Sequence, residues 1–214
     1  MSVWSIVVAG GSGARFGGAK QFASLQGRRV VDLAVDGAAA ATDGVVVVLP
    51  AGVPWDGAPV DAVAVGAATR SGSVRAGLAA LPVDAEIVIV HDAARPLASP
   101  GLFAAVIAAV RTGADAAVPG VPVVDTLKRV DGDRVVETVP RAGLVAVQTP
   151  QAFRAAALFA AHEGGDDATD DAGLVEAQGG TVVVVPGEIH NRKITRPEDL
   201  ELLASLDSFG ESDA

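Results

Sequence analysis

The sequence predicts an α/β fold, with a Rossmann-like, mostly parallel sheet, helices on both faces and an inserted β-ribbon arm. Short runs of Val, Ile and Ala alternate with Ala-rich helical patterns, and only residues 121–148 break this alternation. Apolar runs without polar alternation are typical of strands buried on both faces of a parallel sheet. The length of 214 residues suits one domain, spanning residues 1–214, with a full core.

Each predicted element has its own signal in the chain. The short apolar runs predict strands at 2–9, 44–50, 61–65, 86–91, 114–120 and 181–187. The Ala-rich periodic segments between them predict helices at 30–41, 71–81, 99–112, 151–162, 169–178 and 197–206. Strands that alternate with helices in this way indicate helices packed on both faces of one sheet.

Several helix ends carry start and stop signals. Ser99 followed by Pro100 predicts an N-cap and a first turn. Thr169 is expected to cap the helix predicted at 169–178, which has two acidic residues in its first turn. Residues 195–198 (TRPE) have the spacing of a capping box, and Gly179 is a stop signal. The tail after about residue 206 is expected to be frayed.

The exceptional stretch at 121–148 predicts a two-stranded ribbon. The segments VVDTLKRV and RVVETV flank Asp131-Gly132-Asp133, which is a strong hairpin signal. A lone two-stranded ribbon is only marginally stable in water, so it is expected to pack on something else. A second subunit is the partner that we expect.

Composition excludes several classes of protein. The sequence has no cysteine, so a disulfide framework and a thiolate zinc site are both impossible. No apolar run reaches the roughly 18 residues of a membrane span, and residues 1–9 lack the features of a signal peptide. The net charge of −10 argues against nucleic acid or an anionic membrane as the main partner. We therefore expect a soluble, cytoplasmic protein.

The glycine-rich stretch 9–22 (AGGSGARFGGAKQF) predicts a phosphate-binding loop. It follows the first predicted strand, and the carboxyl ends of strands are where open α/β sheets bind ligands. Its spacing fits neither the dinucleotide-binding fingerprint nor the P-loop. Its only charged residues are Arg15 and Lys20, which are suited to reach a triphosphate held by free backbone N–H groups. A glycine-rich surface turn is the alternative.

The segment 91–96 (HDAARP) begins where another predicted strand ends. Asp92 is placed to hold Mg²⁺ beside the loop, and Arg95 could clamp a second anionic group. An ordinary turn or cap residue is the alternative for Asp92. His91 is expected to be structural, because no second His or Cys lies at ligand spacing.

Two further segments supply candidate anion-binding residues. Thr126 and Arg141 lie on the ribbon and its return, where a solvated strand face is the alternative reading. Asn191, Arg192 and Lys193 follow the last predicted strand, again at the end where ligands bind. Lysine is rare in this arginine-rich chain and occurs only as Lys20, Lys128 and Lys193, so these positions stand out.

Taken in order, these motifs resemble those of the 2-C-methyl-D-erythritol 4-phosphate cytidylyltransferase family of the non-mevalonate isoprenoid pathway. The resemblance covers residues 9 to about 203. It is carried by AGGSGARF…KQF, TRSGSV, HDAARP, VVDTLKR, VPR…QTPQAF, TDDA and NRKITRPEDL. The resemblance implies transfer of CMP from CTP to a polyol phosphate, with Mg²⁺ as cofactor, by a homodimer whose ribbon arm reaches the partner subunit.

The resemblance also implies roles for individual residues. The catalytic cations around the CTP phosphates would be Arg15, Lys20 and Lys193. The nucleotide would be bound by Ala9, Gly10, Gly11, Gly13, Ser73 and Asp92, of which Asp92 would also hold the metal. The methylerythritol phosphate site would be formed by Arg95, Thr126, Lys128, Arg141, Thr149 and Thr169.

The chain departs from the family pattern at a few positions. Ala19 stands where the family commonly has proline, and only GGA separates Phe16 from Lys20. The second residue of the family's Gly-Gly pair is Ala67, and Gly72 replaces an acid that is usual there. If residue 67 needed a positive φ, alanine there would cost about 1 kcal/mol or more.

Two rival functions remain open from the sequence. Another polyol-phosphate cytidylyltransferase, such as one acting on ribitol 5-phosphate, would have the same nucleotide half, although HDAARP favours the erythritol enzyme by analogy. A non-catalytic nucleotide-binding protein is the other rival, and the joint presence of Arg15, Lys20, Asp92 and Lys193 speaks against it. No fused second enzyme is expected, because the sequence ends soon after the last predicted helix.

Overall fold

The computed structural model describes the backbone of residues 1–210 and the side chains of residues 1–205. Its strands are β1 (Val3–Val8), β2 (Ser24–Leu25), β3 (Arg28–Arg29), β4 (Gly44–Leu49), β5 (Ala62–Val65), β6 (Ile87–Asp92), β7 (Ala116–Pro122), β8 (Leu127–Asp131), β9 (Arg134–Val139), β10 (Val145–Val147), β11 (Gln151–Arg154) and β12 (Val182–Pro186). Its helices are α1 (Val30–Ala39), α2 (Arg70–Leu78), α3 (Pro100–Arg111), α4 (Ala155–Glu163), α5 (Asp171–Ala177) and α6 (Glu198–Gly210). The predicted α/β fold class is confirmed.

The central sheet contains eight strands and is mostly parallel, as predicted. Strand β1 pairs in parallel with β4 and β6, β4 with β5, and β7 with β12. Strand β11 lies between β6 and β7 and is antiparallel to both, so β7 runs in the same direction as β6. All the parallel strands therefore end at one edge of the sheet, and the loops that follow them meet there.

Apolar side chains on the two faces of the sheet form two core layers. Val7 of β1 belongs to the layer that contains Phe103 of α3 and the buried face of α1. Its neighbour Ile6 belongs to the opposite layer, which contains Val74 of α2, Leu158 of α4 and residues of α5. Consecutive strand residues point to opposite faces, so the continuous apolar run of β1 is explained by burial on both sides.

The predicted helix over 151–162 is wrong in its first part. Residues Gln151–Arg154 form β11, whose register places Ala152 between Ile89 of β6 and Ala117 of β7. Helix α4 begins only at Ala155. Pairing with two long neighbouring strands overrides the local helical pattern of this segment.

Two of the four predicted helix signals are confirmed. Ser99 accepts a hydrogen bond from the N–H of Leu102, and Gly179 has a φ of +80° just after α5. Thr169 was the wrong cap, because Asp170 accepts from the N–H of Gly173 and caps α5.

The capping box predicted at 195–198 was also wrong. Asp199, one residue further along, accepts hydrogen bonds from the N–H groups of Thr195 and Arg196 at 2.7 and 2.8 Å. Helix α6 extends to Gly210, beyond the predicted end at residue 206, and residues 211–214 lie outside the described part of the chain.

The ribbon predicted at 121–148 is confirmed as a hairpin. Strands β8 and β9 pair antiparallel as a separate two-stranded sheet, and Asp131 lies opposite Arg134. Gly132 in the turn has a φ of +58°, a left-handed conformation that glycine adopts without strain. The return strand β10 then joins the edge of β7 in the main sheet.

The helices within residues 1–210 are all too short or too polar to cross a lipid bilayer.

Candidate active site

The carboxyl edge of the sheet brings four distant segments together around a cavity of about 410 Å³. Residues 9–19 follow β1, residues 66–69 follow β5, residues 93–95 follow β6 and residues 187–194 follow β12. We call this space the larger cavity, and its volume is in the range of small-molecule sites. The predicted site residues that line it are Ala9, Gly10, Gly11, Lys20, Ser73, Asp92 and Lys193.

The glycine-rich loop after β1 depends on Gly13 for its shape. Gly13 has a φ of +66°, and its carbonyl accepts hydrogen bonds from the N–H groups of Phe16 and Gly17. A Cβ at this position would lie 1.8 Å from the carbonyl oxygen of Gly18, so no other residue fits. The predicted nucleotide-binding residue Gly13 therefore shapes the loop, and Arg15 lies exposed on it, outside the lining of the larger cavity.

Positive charge is concentrated at the end of the glycine-rich loop, where Lys20 lies near Lys193. The Nζ of Lys20 donates to the carbonyl of Ile194 at 2.6 Å, which places it beside Lys193. Burial, together with the positive charges of Lys193 and Arg15, lowers the pKa of Lys20 although Asp92 opposes the shift. Cations that destabilise one another in this way form a ready binding site for an anion such as a polyphosphate.

Asp92 is the carboxylate that faces these cations. Its Oδ2 accepts from the Nζ of Lys193 at 2.5 Å, and its Oδ1 accepts from the Nε of Arg70 at 3.2 Å. Burial opposes the charge of Asp92, but Arg70 and Lys193 outweigh burial and hold the pKa of the carboxyl well below its usual range. Asp92 is therefore ionised at neutral pH.

The donor set fits a magnesium ion that is carried by a nucleotide. Among the residues whose side chains are described, no cluster of three or more His, Cys, Asp and Glu side chains could hold a metal alone. Mg²⁺ commonly binds through one or two carboxylates together with substrate phosphates. A single ionised carboxylate, Asp92, at the wall of the larger cavity satisfies that requirement.

A smaller cavity of about 200 Å³ adjoins the larger one. Arg95, Thr149 and Thr169, all predicted to bind the acceptor, line it. Three further side chains, those of Arg70, Asp92 and Lys193, line both cavities. The two cavities thus meet at one group of charged residues.

Thr149 and His91 hold one wall of the smaller cavity. The N–H of Asp92 donates to Oγ1 of Thr149 at 3.0 Å, and Nδ1 of His91 lies 3.2 Å from the same oxygen. Nε2 of His91 lies 3.1 Å from the carbonyl of Arg95, which can only accept, so this nitrogen carries the proton. Burial lowers the pKa of His91 to about 4, so the ring is neutral. Thr149 therefore donates its hydroxyl proton to His91, which is structural as predicted.

Two buried amides hold the lysine-bearing loop after β12: Asn191, which lies in a predicted ligand-binding segment, and Gln148, which was not predicted. The side chain of Gln148 donates to the carbonyl of Glu188 at 2.8 Å, and that of Asn191 donates to the carbonyl of Thr149 at 2.8 Å. The carbonyl of Asn191 in turn accepts from Arg95 at 2.7 Å. These bonds fix the segment that ends in Lys193 against the wall of the smaller cavity.

The far end of the larger cavity is formed by close backbone contacts. Oγ of Ser73 accepts from the N–H of Ala67 at 3.1 Å and lies 3.0 Å from the carbonyl of Thr69. A Cβ on Gly10 would lie 3.3 Å from Oγ of Ser73, so the loop after β1 packs closely here. Ser73 therefore positions the backbone at 67–69 that faces the cavity.

The departures from the family pattern at 67 and 72 are structurally linked. Gln26 is the only non-glycine residue with a positive φ in the described chain, so Ala67 is unstrained. A Cβ on Gly72 would lie 2.8 Å from the Cβ of Ala67, closer than two such atoms can approach. Alanine at 67 thus requires glycine at 72.

We expect Gly72→Ala to destabilise the chain and Ala67→Gly to rescue it. Relief of the overlap should make the coupling between the two substitutions about 1 kcal/mol or more in the free energy of unfolding. Urea unfolding of the four proteins measures this coupling. Gly101→Ala is the matched control, because its Cβ would meet only Oγ of Ser99 at 3.4 Å. Additive effects of the two substitutions would refute the link.

The predicted ribbon residues Thr126, Lys128 and Arg141 lie away from both cavities of their own chain. All three are exposed. The Nζ of Lys128 donates to Oγ1 of Thr138 across the ribbon at 2.6 Å. The structure thus gathers the predicted residues of the α/β body at the two cavities, except Gly13 and Arg15, whereas those of the ribbon remain apart from them.

Comparisons with known proteins point to one family. Residues 3–206 match the family model described as 2-C-methyl-D-erythritol 4-phosphate cytidylyltransferase. The protein of that name from Nocardia farcinica is 46% identical, over 96% of this chain and 94% of its own length. The crystal structure of 2-C-methyl-D-erythritol 4-phosphate cytidylyltransferase from Thermus thermophilus superposes with a TM-score of 0.85 at 38% identity, covering 97% of this chain and all of that one.

Some relatives are longer than this chain. The bifunctional enzyme IspD/IspF of Solidesulfovibrio magneticus is 46% identical over 95% of this chain, which spans only 57% of that protein. The family model, in contrast, is matched across nearly the whole sequence. The resemblance seen in the motifs is therefore confirmed, and the chain belongs to the 2-C-methyl-D-erythritol 4-phosphate cytidylyltransferase family.

Proposed function

We propose that the chain transfers CMP from CTP to 2-C-methyl-D-erythritol 4-phosphate in the non-mevalonate isoprenoid pathway. The products are 4-diphosphocytidyl-2-C-methyl-D-erythritol and pyrophosphate. The observation that carries this proposal is the pair of adjoining cavities that share Asp92 and Lys193 at their junction. A reaction that joins two phosphate compounds needs two anion sites that meet at one point.

The chemistry requires positioning and charge more than proton transfer. An oxygen of the acceptor phosphate attacks the α-phosphorus of CTP, and the bond from that phosphorus to the bridging oxygen of pyrophosphate breaks. The attacking oxygen is already anionic at neutral pH, so no strong general base is needed. The cations Arg15, Lys20 and Lys193 stabilise the charge that develops as pyrophosphate leaves.

The larger cavity takes the nucleotide in this proposal. The base and the sugar lie against the backbone of Ala9, Gly10 and Gly11 and against residues 67–69, which Ser73 positions. The phosphates lie within the loop shaped by Gly13. The smaller cavity takes the acceptor, with Arg95 and Thr169 toward its phosphate. Thr149 supports both cavities. It bonds to the N–H of Asp92, and it bonds to His91, which in turn holds the carbonyl of Arg95.

Asp92 is proposed to hold Mg²⁺ together with the CTP phosphates, and the ion supplies charge neutralisation for the leaving group. Asp92→Asn should raise the Mg²⁺ concentration needed for the half-maximal rate by about tenfold, equivalent to about 1.4 kcal/mol. Titration of the rate with Mg²⁺ measures this shift. The exposed Asp84 provides the matched control as Asp84→Asn. An unchanged titration would leave Asp92 as a structural ion-pair partner of Arg70 and Lys193.

The substrate assignment is tested by pyrophosphate release from CTP with each of two acceptors. We expect rapid release with methylerythritol phosphate and little with ribitol 5-phosphate. Turnover of ribitol 5-phosphate alone would move the function to the rival cytidylyltransferase. Binding of CTP without release of pyrophosphate from either acceptor would favour a non-catalytic nucleotide-binding protein.

We further propose a homodimer in which the ribbon arm completes the partner's acceptor site with Thr126, Lys128 and Arg141. Strands β8 and β9 pair only with each other within the described residues. The arm exposes apolar side chains, among them Val124 at 76% and Val136 at 59%. Exposed apolar surface on a marginally stable ribbon favours contact with another chain. A second copy offers an acceptor cavity that lacks these anion-binding side chains.

The cytoplasmic location and the lack of a nucleic-acid or membrane partner stay predictions from the sequence.

A further inference from the structure

The junction between the two cavities contains one residue, Arg70, that lies in the TRSGSV motif but has no role assigned from the sequence. Only three charged side chains, those of Arg70, Asp92 and Lys193, line both cavities within the described part of the chain. Asp92 and Lys193 were predicted site residues, whereas Arg70 was not. If the proposed function holds, the reacting phosphates meet at this junction.

Arg70 bridges two carboxylates from different parts of the fold. It is the first residue of α2, and its side chain is 23% exposed. Its Nε donates to Oδ1 of Asp92 at 3.2 Å, and its Nη1 donates to Oδ2 of Asp171 at 2.6 Å. Asp171 is the first residue of α5, so Arg70 links the ends of β6, α2 and α5.

A buried pair anchors Arg70 from behind. Asp171 is fully buried, and its other oxygen, Oδ1, lies 3.0 Å from Nε2 of His162 in α4. Because a carboxylate accepts, Nε2 carries the proton in this contact. An ionised carboxylate in the interior requires a charged partner, and Arg70 supplies it. The guanidinium is therefore held at a fixed point by a contact that lies outside both cavities.

The two oxygens of Asp92 are held in different ways. Lys193, which takes Oδ2, is 39% exposed, and a substrate phosphate can attract it. Arg70, which takes Oδ1, is also tied to the buried Asp171, so its contact with Asp92 does not depend on Lys193. If a phosphate draws Lys193 away, Oδ2 is free at the junction while Oδ1 stays held.

We propose that Arg70 is a positioning residue that fixes the Asp92 carboxylate for the magnesium–CTP complex, with Asp171 and His162 as its anchor. This proposal rests on the proposed function. It assigns to the buried Asp171 a role in the site, through Arg70, in addition to its contribution to stability.

The test separates positioning from stability by pairing two substitutions. Arg70→Met leaves the buried Asp171 carboxylate hydrogen-bonded to His162 but without its arginine partner, and the variant should be strongly destabilised. Adding Asp171→Asn removes that charge, and the double variant should regain most of the lost thermal stability. Arg75→Met is the matched control, because Arg75 lies on the same helix and its side chain, within the described residues, forms polar contacts only with Asp166 and Asp167.

The readout is the binding of CTP with and without Mg²⁺, measured by calorimetry below the melting temperature of each variant. We expect Mg²⁺ to strengthen CTP binding in the wild type and in the control. In the double variant, the factor by which Mg²⁺ strengthens CTP binding should be at least fivefold smaller. Its kcat should fall at least tenfold, while KM for methylerythritol phosphate changes little.

The outcomes distinguish the two proposals. A stable double variant with an undiminished Mg²⁺ gain and wild-type kcat would reduce Arg70 to a structural residue, leaving the proposed function intact. A wild-type chain that does not bind CTP would overturn the proposed function and this inference together. A wild-type chain that binds CTP but does not turn over the acceptor would overturn the function alone, since the Mg²⁺ gain still reports on Arg70.

Discussion

Replacement of Lys20 or Lys193 by alanine is expected to lower kcat by about a hundredfold to a thousandfold. Both ammonium groups lie at the wall of the larger cavity, where negative charge moves from the α-phosphate toward pyrophosphate during the proposed reaction. A cation that acts mainly on this developing charge stabilises the transition state more than the bound substrate. KM for CTP and for the acceptor should therefore change much less than kcat.

Steady-state kinetics with both substrates, supported by thermal melts, measure this effect. Arg111→Ala is a suitable control, because Arg111 is an exposed cation at the end of α3, away from the loops that form the site. A Lys193 variant with wild-type kcat would remove Lys193 from the reaction. A raised KM with unchanged kcat would instead mean that the lysine binds ground state and transition state equally.

The second large effect tests the ribbon arm: mixing two inactive variants should restore part of the activity. Lys20→Ala disables the α/β body, and Arg141→Ala disables the arm. In a mixed dimer with exchanged arms, one site receives both substitutions and the other receives neither. About half of the dimers are mixed after exchange, so roughly a quarter of the wild-type activity should return.

The measurement is the rate of pyrophosphate release before and after subunit exchange, which is confirmed by mass spectrometry of differently labelled chains. Mixtures of wild type with each variant control for loss of protein during exchange. If each site is built within one chain, every site in the mixture carries one substitution and no activity returns. That result would place Arg141 in its own subunit's site and would leave the ribbon as a dimer contact.

Local patterns were enough to predict most of the fold. The runs of Val and Ile that form β1, β4 and β6 are buried on both faces, and this burial imposes the continuous apolar pattern that identifies them. Strand β11 could not be found in this way. Its four residues are followed by Ala-rich helix without a break, and only the gap between β6 and β7 makes them extended.

The site was predictable where one segment carries its own chemistry. The glycine-rich loop with Lys20, and the carboxylate Asp92 at the end of a strand, could be placed from order and residue type alone. The role proposed for Arg70 could not be inferred in this way, because its partner Asp171 lies 101 residues further along the chain and the contact exists only in the folded protein. Acidic residues at a helix start suggested capping, which is true of Asp170 but not of Asp171.

In the proposed reaction, an oxygen of the methylerythritol phosphate group forms the new bond to the α-phosphorus of CTP, and pyrophosphate leaves. Acceptor labelled with ¹⁸O in its phosphate group, incubated with CTP, Mg²⁺ and the wild-type chain, tests it by mass spectrometry of both products. All of the label should remain in 4-diphosphocytidyl-2-C-methyl-D-erythritol, and the pyrophosphate should be unlabelled. Labelled pyrophosphate, or release of CDP in place of pyrophosphate, would contradict it.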